Sequence, residues 1–398
     1  MSLANGRPYI AQPGPSVLPD RVLAAMQRGS PNIYGGSLHD MVATLWSDLR
    51  AVARTKGHVA IYIGNGHAAW EAANTNMFSQ GDKALVLITG NFGTGWANAA
   101  RGIGIDVTAI DFGKRAAADP ARLAQALAED KAHSIKAVLV THVDTATSVR
   151  NDIAALRAAI DSVGHPALLA VDAIASLGCD QVEMDAWGVD VMIAASQKGL
   201  MTPPGLAFVW LSDKALAQGR GADRRTPYWD WTPRVTGSEF WQYFHGTAPT
   251  HHLYALREAL TMIAEEGLEA VWARHERLAQ AVWAAIEVWG SAGPMAMNIA
   301  DPACRGRSVT GVRIGAPHGT ALRHWCEQKA GVTLGIGLGM VADDDPEWHG
   351  FFRMAHMGHV NAHMTLGMLG VVQAGLLALD IPHGKGALEA AARVVAGA

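Results

Sequence analysis

Six short runs that are apolar at nearly every position, at 59–63, 84–89, 135–141, 167–171, 191–195 and 206–211, constrain this chain more than any other feature. A strand with one wet face alternates apolar and polar residues. A continuous apolar run has no wet face and belongs to a sheet buried on both sides. The stretches between them, at 68–78, 96–104, 120–128 and 152–163, read as helices. Strands alternating with helices over more than a hundred residues predict an α/β fold, a mostly parallel sheet with helices on both faces.

The rhythm stops at 220–249, a loop-like stretch holding Trp229, Trp231 and Trp241. A long helical region follows at 253–289, with Gly267 as a break. Shorter strands (308–314, 332–335) and helices (320–329, 360–379, 388–395) then predict a smaller α+β unit. The chain of 398 residues is long enough for two domains. The expected division is an arm at 1–20, which carries four prolines, a large domain at 21–268, and a small C-terminal domain at 269–398.

A net charge of −4 argues against a nucleic-acid surface. Charged residues are only 17%, a deficit that a large core or a wide apolar subunit interface explains. Cys179, Cys304 and Cys326 are scattered and lack metal or disulfide spacing, which fits a reducing compartment. No secretory signal, targeting tail or membrane span is read, so a cytoplasmic protein is expected.

The chemistry gathers where apolar runs end. Lys198 follows the run at 191–195 and precedes Pro203-Pro204-Gly205. A lysine in such a place commonly snorkels to solvent. A buried one has a lowered pKa and becomes a nucleophile able to form a Schiff base. Asp172 closes the run at 167–171; alone it reads as a helix cap, but in an open parallel sheet ligands sit at the carboxyl ends of strands. Gly64-Asn65-Gly66-His67-Ala68 turns from a strand into a helix, whose free N–H groups and dipole suit a phosphate. Gly90-Asn91-Phe92-Gly93 puts an aromatic ring at another strand end, and Thr141-His142-Val143-Asp144-Thr145 a polar cluster at a further one. Five strand ends thus carry phosphate, stacking, polar, acidic and amine chemistry. A pyridoxal cofactor needs that set, because an acid at the ring nitrogen keeps the ring an electron sink.

With these residues the sequence resembles the class V aminotransferases of fold type I, particularly the alanine–glyoxylate and serine–glyoxylate enzymes. The resemblance runs through Pro13–Ser16, the Gly64–His67 turn, Gly90–Gly93, Asp172–Gly178, Ser196-Gln197-Lys198, Leu253–Leu260 and 352–358. It implies a large domain with a seven-stranded sheet, pyridoxal 5'-phosphate as cofactor, and a homodimer with shared active sites. By position it implies that Lys198 is the Schiff-base lysine and Asp172 the partner of the ring nitrogen. Phe92 takes the place of the stacking aromatic. Gly66, His67, Ala68 and Gln197 match the phosphate site, Thr145 a cofactor contact, and Thr247 a residue reaching the neighbouring subunit's phosphate. Arg353 matches the clamp on the substrate α-carboxylate, which suits a guanidinium fork. The implied reaction is a ping-pong transamination from serine or alanine to glyoxylate or a similar 2-oxo acid.

Two positions depart from the family pattern. Phe244 stands where relatives place a phosphate-contacting tyrosine, leaving Tyr243 or His245 as substitutes. The segment Asn32-Ile33-Tyr34-Gly35 replaces a His-containing segment at the substrate entrance, with Tyr34 the residue expected to face substrate. His356, His359 and His363 lack an adjacent Glu and are read as ordinary helix histidines without metal. Within the fold, an aspartate donor, pyridoxamine–pyruvate transamination, a desulfurase-type lyase using Cys304 or a non-catalytic cofactor-binding protein remain as alternatives.

Overall fold

The computed structural model describes residues 2–397. Among the described residues twelve strands are formed: β1 Tyr9–Ala11, β2 His58–Gly64, β3 Lys83–Ile88, β4 Asp106–Asp111, β5 Ile135–Thr141, β6 Leu168–Asp172, β7 Val191–Ala195, β8 Gly205–Leu211, β9 Ala296–Met297, β10 Val309–Arg313, β11 Val332–Ile336 and β12 Phe351–Ala355. Seven of them make one sheet in the order β2-β8-β7-β6-β5-β3-β4. Only β8 runs against its neighbours. The carboxyl ends of β2 to β7 therefore lie along one edge. The chain order reverses between β3 and β5, which makes the gap beyond their ends the crevice where open α/β sheets bind ligands.

Alternate residues of these strands feed two cores. Val59, Ile61, Leu85 and Leu87 pack on one face; Ala60, Tyr62, Ala84 and Val86 pack on the other. Burial on both faces is why the strands read as unbroken apolar runs. β4 is the exception. As an edge strand it is half-buried or exposed along its length, and its residues Asp106-Val-Thr-Ala-Ile-Asp111 show no such run.

A second sheet has the order β1-β11-β12-β10-β9. It packs on the helices Leu268–Gly290, His318–Ala330, Ala362–Ala378 and Ala387–Ala396 around a third core. Gly267 separates the helices Thr250–Glu266 and Leu268–Gly290 with a φ of 85°, a conformation that favours glycine. β1 lies in the proline-containing N-terminal segment and pairs in parallel with β11, Tyr9 against Val332.

Several expectations are corrected. The helix expected at 96–104 begins at Asn91, because the turn and glycines of Asn91–Gly95 hide its first turn in the sequence. The 220–249 stretch holds two short helices, Thr232–Thr236 and Phe240–Phe244. His356 follows β12 and His359 precedes the helix that starts at Ala362, so only His363 is a helix histidine. Among the described residues no helix is long and apolar enough to cross a membrane.

Candidate active site

Five of these strand ends, those of β2, β3, β5, β6 and β7, present groups to the crevice. After β2, the Asn65 side chain caps the helix Gly66–Met77 by accepting from the His67 N–H at 3.1 Å. The positive end of that helix dipole opens beside β6, where the end of the Ile174 side chain packs directly over Gly66. His67 is exposed, with its ring edge-on to Trp70. After β3, the N–H groups of Phe92 and Gly93 donate to one oxygen of Asp144, at 2.8 and 3.3 Å. After β5, the other Asp144 oxygen accepts from Ala146 N–H at 2.9 Å. Asp144 is fully buried and its pKa is raised by that burial, with the backbone donors opposing. It spans the gap between β3 and β5, fixing the position of Phe92 relative to Thr145.

Asp172 ends β6, buried. Its Oδ1 accepts from Ile174 N–H and its Oδ2 from the Trp70 indole, both at 2.8 Å. Each carboxylate oxygen keeps a free lone pair for another donor. Burial pushes Asp172 up to about 7, while its two donors and Lys198 pull the other way. Lys198, in the turn after β7, is only 9% exposed. Burial, reinforced by the nearby Arg353 charge, lowers it to about 8. Its ammonium donates to the Pro13 carbonyl.

The N-terminal segment is fastened over this lysine. Ser16 N–H donates to the Gln197 carbonyl at 2.9 Å, and Ser16 Oγ to the Lys198 carbonyl at 2.8 Å. Gly14 has a φ of 91°, and a Cβ there would lie 2.7 Å from Lys198 Nζ. Gly14→Ala is expected to cost about 1–3 kcal/mol through the strained backbone and to push Lys198 aside. The checks are a lowered unfolding temperature and slower covalent uptake of pyridoxal phosphate; wild-type values for both would contradict the packing described.

Arg353 reaches into the same crevice from the second sheet. Glycines 311 and 335 flank it on β10 and β11. Its Nη1 donates to the Thr145 carbonyl and its Nε to that of Ile336, at 2.9 and 2.8 Å. Among the described residues Nη2 has no partner. Burial lowers Arg353 to about 10, with the Asp144 carboxylate opposing, and it stays a cation at neutral pH.

Lys198, Asp172, Arg353, Phe92, Thr145, Gln197, Gly66 and Ala68 are thus positioned around the carboxyl edge of one sheet. Thr247 and Tyr34 are not joined to them. Thr247 is exposed in the loop before the helix Thr250–Glu266, and Tyr34 is 89% exposed. Phe244 is a core residue, packed edge-on against Phe240. Tyr243 packs on Trp46, while His245 keeps a buried ring nitrogen without a partner. Asp144, Trp70 and Ser16 were not assigned roles from sequence. Asp144 stands in the polar cluster after β5, the one local signal that pointed to it.

A family model for aminotransferase class-V matches residues 8–354. The chain belongs to the class V aminotransferases. It is 35% identical over 382 residues to a serine–glyoxylate aminotransferase of Methylorubrum extorquens, covering 94% of this chain and 92% of that one. It is 34% identical over 390 residues to an L-aspartate–glyoxylate aminotransferase of Paracoccus denitrificans, covering 96% and 94%. The solved structure of ureidoglycine–glyoxylate aminotransferase from Bacillus subtilis superposes with a TM-score of 0.88 at 26% identity, over 99% of each chain. This class V aminotransferase is an enzyme that moves amino groups, and its cofactor is pyridoxal phosphate.

The residues fit that group. The helix end at Gly66 suits a phosphate. Lys198 supplies a buried amine, and Asp172 a carboxylate with acceptor capacity to spare. His356 is spent internally, its two ring nitrogens on Thr310 and the Arg307 carbonyl. No group of three or more potential metal ligands occurs among the described residues.

Proposed function

We propose that this aminotransferase moves the amino group of a small amino acid, serine or alanine, to glyoxylate or a similar 2-oxo acid by a ping-pong mechanism. The observation that carries it is the meeting of Lys198, Asp172 and Arg353 in one crevice. Relatives named serine–glyoxylate and alanine–glyoxylate aminotransferases support the substrate pair. We also assign it to a homodimer in which exposed Thr247 and the 32–35 segment serve the partner's site. Its three free thiols suit a reducing compartment such as the cytoplasm.

Gly66, His67, Ala68 and Gln197 hold the phosphate end of the cofactor, and Thr145 contacts it. Phe92 covers the ring face. When bound, pyridoxal phosphate supplies a protonated ring that draws off the electron pair released at the substrate Cα. Asp172 keeps the ring nitrogen protonated. Arg353 fixes the substrate through its α-carboxylate, aiming the Cα–H bond at Lys198. Lys198 Nζ, deprotonated, would take the proton from the substrate Cα and pass it to the cofactor within the same half-reaction, and would run the transfer in reverse on the 2-oxo acid. The Pro13–Ser16 segment covers Lys198 and limits the access of water.

A second reading concerns the donor. Arg323, half-buried on the helix His318–Ala330, has no carboxylate partner among the described residues, and its charge depresses Arg353. A guanidinium so placed favours a donor with a second carboxylate, such as aspartate. Both readings are tested by adding L-serine, L-alanine and L-aspartate separately to the yellow holoenzyme. The donor is the one that bleaches the visible band, and glyoxylate restores it. A band that no donor changes would sink the proposal.

Arg353→Ala is expected to retain cofactor but raise the KM for the amino donor roughly 10- to 100-fold, the worth of a charge-assisted hydrogen bond or two. Unchanged Michaelis constants would remove Arg353 from the substrate site.

A further inference from the structure

A second cationic hollow lies apart from the crevice, and the transamination makes no use of it. It is a cavity of about 340 Å3 between the last turn of the helix Leu268–Gly290, strands β9 and β10, and the loop that follows β4. Three guanidinium groups line it, from Arg115, Arg305 and Arg313, against the single carboxylate of Glu287.

The three arginines differ in how they are satisfied. Arg305 is engaged: its Nε and Nη2 donate to the carbonyls of Ile299 and Ala300, and its Nη1 lies 3.4 Å from Glu287. Arg115 makes one hydrogen bond, from Nε to the Asn298 carbonyl at 3.3 Å. Arg313 makes none from its side chain among the described residues, and its Nε is buried without a partner. Neither Arg115 nor Arg313 has an acidic partner among those residues. Burial first, and then the charge of Arg115, holds Arg313 below the ordinary arginine value.

The helix that ends at Gly290 points its negative end here, which suits a cation, but a helix end supplies only about half a charge. Glu287 offsets one arginine, so more than one positive charge remains uncompensated. Ile286, Met295 and Met297 form an apolar wall beside them. Paired guanidinium forks match the geometry and charge of a phosphate better than those of any neutral ligand.

We propose that this hollow binds a phosphate dianion, free or as the monoester of a small organic molecule, between Arg115 and Arg313. Arg115 belongs to the loop leaving the seven-stranded sheet, and Arg313 to β10 of the five-stranded one. A bound anion therefore ties the two sheets together. β10 is paired with β12, Arg313 against Phe351, two residues from Arg353. Occupancy of the hollow thus restrains the strand that carries the carboxylate clamp.

The test is isothermal titration of the holoenzyme, whose cofactor already fills its own phosphate site, with inorganic phosphate at ionic strength held constant by chloride. A parallel titration uses glycerol phosphate. Saturable binding is expected, weakened about tenfold or more in Arg313→Gln and in Arg115→Gln, with the visible cofactor band unchanged. Tighter binding of the monoester would assign the ligand to that class, and tighter inorganic phosphate to the free ion. Both outcomes support the site. Arg115 is exposed, so its variant keeps the test valid if Arg313→Gln fails to fold. Absence of saturable binding in the wild type, or wild-type affinity in both variants, would overturn the proposal.

Discussion

Lys198→Ala protein is expected to fold, to bind pyridoxal phosphate without a covalent bond, and to transaminate at least ~10^3-fold more slowly. Loss of a positioned acid–base group alone accounts for roughly 10^2–10^4. The physical basis is that the Lys198 amine is buried and lowered to about 8 from 10.5. Only the free amine attacks an aldehyde, and a lowered pKa makes that form available at lower pH. Covalent uptake of the cofactor by the wild-type apoenzyme should therefore accelerate as pH rises through about 8 and level off above it. Absorbance at the visible band follows both properties. Residual activity near wild type, or a rate that goes on climbing through pH 10, would take the amine chemistry away from Lys198.

The second large effect is expected for Asp172→Asn. The amide keeps the size of the carboxylate and still accepts from Ile174 N–H. Its NH2 group, however, is turned on the Trp70 indole N–H, setting donor against donor in a buried place. More importantly, an amide cannot balance the charge of a protonated ring nitrogen. Removal of one preorganised electrostatic group commonly lowers kcat by about 10^2–10^3, and that range is expected here, with KM changing far less. Steady-state kinetics with the donor identified by bleaching provides the measurement. A kcat within a few fold of wild type would mean that Asp172 caps the chain after β6 and does nothing more.

How much of this was legible in the sequence depends on how local each cause is. β5, β6, β7 and β8 could be read nearly to the residue because both of their faces are buried, which leaves a run of apolar letters. β4 could not, since an edge strand with polar ends leaves none. β12 was hidden for a different reason: it carries Arg353, a charge that breaks the apolar run and is buried by another element. Asp172 stood out because it ends a legible strand, and Lys198 because it follows one closely. The links that Asp144 makes to Phe92, and that Trp70 makes to Asp172, are contacts between elements far apart in the chain. No local pattern encodes them. The fastening of Ser16 over Lys198 is of the same kind.

That fastening also bears on the order in which the molecule is built. β1 is made long before its partner β11, which follows both long helices in the chain. Chains fold from the N-terminus during synthesis, and pairings distant in sequence come late. The seven-stranded sheet can close while Tyr9–Ala11 still waits. The ties of Ser16 to Gln197 and Lys198 therefore need nothing from the last third of the chain, whereas the pairing of β1 with β11 is among the last parts to set.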